Sequence, residues 1–111
     1  MLLQIDFEVA VENAISFERM YHDVYTPALR KQPGYMRSTL LRLFPDTIAQ
    51  EIGAAPTGFN YQLELVFDTE ENRRRWVASP EHQIAWPQAS ALARKAAWRG
   101  YDVAGEDIAV A

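Results

Sequence analysis

The chain has 111 residues, 49% apolar and 12% aromatic, with a formal net charge of −4 and no cysteine. That length predicts one domain over residues 1–111. The lack of cysteine excludes a disulfide framework or a thiolate metal site, and the acidic balance argues against nucleic acid or an anionic membrane as partner. No run approaches the roughly 20 apolar residues of a bilayer span, so a soluble cytoplasmic protein is expected. A domain this small covers only about 60 to 70% of its unfolded surface, which favours a homodimer.

From Leu3 to Val9, apolar residues alternate with Gln4, Asp6 and Glu8, the period of a strand with two unlike faces. Asn13 or Glu12 can then cap a helix whose apolar stripe runs Phe17, Tyr21, Val24 and Ala28. Pro27 removes a backbone donor from that helix and frees the Asp23 carbonyl, so a kink is expected before Gln32-Pro33-Gly34 ends it. Tyr35 to Phe44 suits a second strand, and Pro45 to Gly58 a long connection carrying a short element near Ile48 to Ile52. Asn60 to Asp68 alternates again as a third strand. Thr69 caps a short helix to Val77, Pro80 opens a second reaching about Ala97, and Trp98 to Val103 forms the last strand before an extended or disordered tail. Glu70 and Glu71 precede Arg73-Arg74-Arg75 by three and four residues, the spacing of a locally paired, solvated helix face.

The order strand, helix, strand, strand, helix, strand predicts an α+β ferredoxin-like βαββαβ fold, a four-stranded antiparallel sheet with two helices on one face. Strands one and three are expected at its centre, their apolar sides against the helices and Gln4, Asp6, Glu8, Gln62 and Glu64 on the bare side.

The segment Phe17 to Tyr35, FERMYHDVYTPALRKQPGY, resembles the first-helix signature of EthD-like proteins in the dimeric α/β-barrel superfamily, which includes antibiotic biosynthesis monooxygenases. Phe17, Tyr21, Val24, Pro27, Leu29, Pro33, Gly34 and Tyr35 carry the likeness. Trp76-Val77-Ala78-Ser79-Pro80-Glu81 is similar to the corner that opens the family's pocket-bearing helix. One departure stands out: Tyr25 occupies the place where the family pattern has a histidine after Val, and His22 lies three residues earlier. The resemblance implies two sheets facing each other in a dimer, a pocket between sheet and helices, and membership among cofactor-free monooxygenases, haem-degrading enzymes and isomerases.

Tyr25 and His82 are the residues expected to orient a substrate, with Asp6 or Glu64 as general base if burial at a sheet–sheet interface raises its pKa. The competing expectation pairs Asp6, Glu8 and Glu64 with Arg37, Arg42 or Arg99 in the sheet. His22, Tyr61, Trp76 and Trp86 complete an aromatic lining for a small apolar or aromatic ligand. Two histidines without paired ligand spacing predict no metal, and the absence of a glycine-rich phosphate loop, nucleophile elbow or nucleotide fingerprint predicts no cofactor. The function expected is a cofactor-free monooxygenase or isomerase that abstracts a proton next to a carbonyl of an aromatic or polyketide-like molecule. The alternatives are a non-catalytic ligand-binding or stress-response dimer and, third, a haem protein using His22, His82 or a tyrosine. The 45–58 connection is expected to cross to the partner subunit.

Overall fold

The computed structural model describes residues 1–110. Strands β1 (Leu2–Val9), β2 (Tyr35–Arg42), β3 (Tyr61–Phe67) and β4 (Ala93–Tyr101) form one antiparallel sheet in the order β2-β3-β1-β4. The two central strands alternate as their sequences dictate. Ile5, Phe7 and Val9 of β1 and Tyr61, Leu63, Leu65 and Phe67 of β3 are buried under the helices. Each such side chain contributes about 1.5–3 kcal/mol by leaving water.

The first helical run starts with a 3₁₀ turn (Val11–Asn13) and continues as α1 (Ala14–Met20), a π turn (Tyr21–Tyr25) and α2 (Thr26–Arg30). Neither Glu12 nor Asn13 caps it; the chain enters through extended Ala10, whose carbonyl accepts from Asn13 N–H at 2.9 Å. Pro27 lacks the N–H that would reach the Asp23 carbonyl in an α-helix. Just before it, the Thr26 N–H donates to the Tyr21 carbonyl five residues back. This wider turn takes in one extra residue. The buried stripe is therefore Phe17, Tyr21, Tyr25 and Leu29, whereas the expected Val24 and Ala28 are only partly buried.

Gly34, at φ 77°, turns the chain into β2, and its carbonyl accepts from Asp68 N–H at 2.9 Å. A bulge at Met36 follows, and β2 stops at Arg42, two residues short of the expected Phe44. The 45–58 connection contains α3 (Asp46–Glu51). Thr69 Oγ1 accepts from Asn72 N–H (3.1 Å) to cap α4 (Glu70–Ala78), and Ser79 Oγ accepts from His82 N–H (3.1 Å) to cap α5 (Pro80–Ala91). The expected continuation of α5 to Ala97 is incorrect, because Ala93–Ala97 lie in β4. Alanine-rich helix propensity is a weak preference. Here it yields to a ladder with β1 running from Val9↔Ala93 to Leu2↔Tyr101, which pairs the backbone of both strands.

Candidate functional site

Five elements converge on one cavity. Residues three and four apart on a helix share a face, so α4 presents Arg73, Trp76 and Val77 together, and α5 presents His82 and Trp86. The π turn supplies Tyr25 as its last residue, β1 contributes Leu3 and Ile5, and β4 contributes Trp98. These side chains enclose about 290 Å³ between the sheet and the second helical pair.

The lining is a chain of aromatic contacts. The Trp76 ring meets Tyr25 edge-on at 5.7 Å and His82 at 4.9 Å. His82 lies parallel to Trp86 at 6.2 Å, and Trp86 meets Trp98 edge-on at 5.8 Å. Such pairs prefer these geometries because the positive ring edge seeks the negative ring face. They fix the His82 plane without using its nitrogens.

Besides Arg73, two polar groups stand out in this otherwise apolar wall. Tyr25 is 1% exposed, and its hydroxyl has no hydrogen-bond partner among the described residues. Leaving such a group unpaired costs about 1–3 kcal/mol, so it is a donor in want of an acceptor. Burial pushes its pKa well above the usual tyrosine value, which keeps the proton in place. Burial holds the His82 imidazole below its ordinary value of 6.5, which favours the neutral, proton-accepting ring near pH 7.

The structure brings Tyr25, Trp76, His82 and Trp86 together as one lining. It separates the others. Asp6 and Glu64 fall at alternate positions of β1 and β3 and face away from the helices, so the sheet stands between them and the cavity. Asp6 accepts from Gln62 Nε2 at 3.1 Å, and Glu64 lies between Gln4 and Thr39. Tyr61 is buried beside Phe17 and donates to Glu18 (2.5 Å), while His22 is exposed on the outer helix face against Tyr21.

None of the expected arginine partners pairs with Asp6, Glu8 or Glu64 among the described residues. Arg42 points to the helix side and makes two hydrogen bonds to Glu18 (2.9 and 2.6 Å), which, with the Tyr61 hydroxyl, hold that carboxyl below its ordinary value. Arg37 pairs with Glu106 of the C-terminal segment at 3.4 Å, and Arg99 stands opposite Gln4. Arg73 and Trp98 had not been anticipated in the lining. The spacing of Arg73 three residues before Trp76 was a usable signal for the first. Trp98 was placed in a strand whose register was unknown.

The sheet order, the antiparallel ladders and helices packed on one face define the ferredoxin-like α+β class. No family model matches the chain, and no curated protein matches it in sequence. Solved structures do match. A variant of SnoaB, a cofactor-independent oxygenase from Streptomyces nogalater, is 21% identical with a TM-score of 0.67, covering 95% of this chain and 96% of that one. An ethyl tert-butyl ether D (EthD) family protein from Bacillus halodurans is 17% identical with a TM-score of 0.63, covering 92% and 99%. A dimeric ferredoxin-like protein from Jannaschia is 14% identical with a TM-score of 0.71, covering 92% and 97%. At these identities the likeness establishes the shared fold.

Proposed function

We propose that the chain is an enzyme acting on a small aromatic or polyketide-like carbonyl compound held in the cavity of Tyr25, Trp76, His82 and Trp86. The observation that carries this reading is the pairing, in one apolar cavity, of an unpartnered buried hydroxyl donor with an imidazole biased to its neutral form. A volume of about 290 Å³ lies near the lower end of small-molecule pockets and suits a flat, compact ligand. His82 takes a proton from the carbon next to the carbonyl, and the Tyr25 hydroxyl donates a hydrogen bond to the oxygen on which charge develops. Return of the proton to another carbon completes an isomerisation. With dioxygen as co-reactant, a CH₂ group and O₂ give a carbonyl group and water, the monooxygenase outcome. The base role passes to His82 because Asp6 and Glu64 lie behind the sheet.

The working unit in this reading is a homodimer with the bare sheet faces together. That face sets Asp6, Glu8 and Glu64 against Arg37, Lys95 and Arg99, a balance suited to meeting its own copy across a two-fold axis. Exposed Ile48 and Ile52 on the 45–58 connection, with Phe44 just before it, suit a reach onto the partner.

The test is carbon–hydrogen exchange in deuterated water, followed by NMR on anthrone and 2-tetralone. The wild type is expected to accelerate exchange over buffer, and to keep doing so somewhat below pH 6.5, where an ordinary histidine is protonated. His82→Ala should abolish the acceleration, and Tyr25→Phe should reduce it about 10²-fold or more. Binding of these ketones without accelerated exchange assigns a ligand-binding protein instead. Unchanged exchange in both variants removes the two residues from the mechanism.

A further inference from the structure

Arg73 belongs to the run Arg73-Arg74-Arg75, yet its side chain is 24% exposed against 74% and 60% for its two neighbours. The reason is helical geometry: positions 73, 76 and 77 share the face of α4 that lines the cavity, while 74 and 75 turn to water. Arg73 is the only residue of that lining with a permanent charge, and no carboxylate is among the described residues that line the cavity with it.

Glu70 uses only part of the guanidinium. It accepts from Arg73 Nε (3.2 Å) and from Nη2, so Nη1 and the second Nη2 hydrogen remain as donors. Glu70 also accepts from Arg74 Nε at 3.4 Å, so one carboxylate is shared by two arginines and the cluster keeps an excess positive charge. An aromatic box with a planar, charged donor at its wall matches a ligand with an aromatic body and one acidic group.

We propose that the cavity selects aromatic acids, with the ligand's carboxylate (or an equivalent phenolate) bound by the free donors of Arg73 while its rings lie among Trp76, Trp86 and Trp98. This narrows the ligand class and rests on the cavity being the ligand site, as proposed above. Arg73 acts here in binding and selectivity and has no part in the proton transfer.

The experiment compares 2-naphthoate with 2-naphthamide, which share their rings and differ in charge, by isothermal titration calorimetry at pH 7.5 and low salt. The wild type is expected to bind naphthoate about tenfold more tightly, a difference expected of a partly exposed charge-assisted hydrogen bond. Arg73→Gln should abolish that preference, lowering naphthoate affinity more than naphthamide affinity, while Arg74 still accompanies Glu70. Arg73→Lys should retain part of the preference, and added salt should erode it in the wild type. Val77→Trp, which fills the cavity from an exposed helix position, should weaken both probes. Equal affinities in the wild type, or a preference that survives Arg73→Gln, overturn the selectivity proposal and leave the cavity reading standing. If neither probe binds, or Val77→Trp leaves both unaffected, the cavity reading and the selectivity proposal fall together.

Discussion

The Tyr25 hydroxyl and the His82 ring show how one apolar environment acts in opposite directions on two groups. Burial penalises the charged form of each, so the phenol keeps its proton and the imidazole resists gaining one. Burial is the cause of both shifts, although Arg73 lines the same cavity. A group held this way is a burden on stability when the cavity is empty. Tyr25→Phe removes the unpaired hydroxyl and keeps the ring against Trp76, so it is expected to stabilise the chain by about 1 kcal/mol in urea denaturation. A loss of stability of similar size would mean that the hydroxyl is already satisfied in the folded protein. Of the candidate residues, Tyr25 was legible because Pro27 marked its neighbourhood as irregular. His82 was legible from the Ser79-Pro80 corner. Asp6 and Glu64 were correctly placed on the bare sheet face, but composition alone could not say which side of the sheet the cavity lies on. Arg73 was hidden because its spacing to Glu70 fits a solvated ion pair, which does form and leaves the rest of the guanidinium free.

At the scale of elements, the strands with strict alternation were readable almost to the residue, as β1 and β3 demonstrate. The helical run before β2 was readable in extent but not in phase. A 3.6-residue period selects Val24 and Ala28, and only the shift in hydrogen bonding at Tyr21–Tyr25 moves burial to Tyr25 and Leu29. The boundary between α5 and β4 was masked by alanines that suit a helix and are carried into a strand by pairing with β1. Gly34 is the junction where local conformation constrains packing most tightly. At φ 77° an L side chain is strained, and a Cβ there would run into the Asp68 carboxylate and the Asn72 amide, which are hydrogen-bonded to each other at 2.8 Å. Gly34→Ala is expected to cost about 2 kcal/mol or more, read as a lower urea midpoint with unchanged slope. A change below about 0.5 kcal/mol would mean that the turn relaxes freely.

At the scale of the whole molecule, one sheet face is covered by helices and the other is not. The face without helices carries Leu41 and Tyr101, 42% and 45% exposed, among charged side chains of both signs. The C-terminal segment leaves β4 at one edge and brings Glu106 to Arg37 on β2, at the opposite edge. Light scattering on a sizing column is expected to return twice the 12.7 kDa chain mass. Leu41→Asp should shift it to one chain mass, and deletion within the 45–58 connection should weaken the dimer. A single-chain mass for the wild type, or an unchanged dimer in both variants, rules out the face-to-face arrangement. The π turn also bears on how this protein can change over generations. Substitutions at His22 to Val24 alter side chains but keep the count of residues that brings Tyr25 to the groove. Loss of a single codon there would remove the extra residue, restore an ordinary helix and leave Tyr25 and Leu29 on the buried face, at the positions that a 3.6-residue period selects. The hydroxyl's address thus tolerates both spelling errors and one dropped letter.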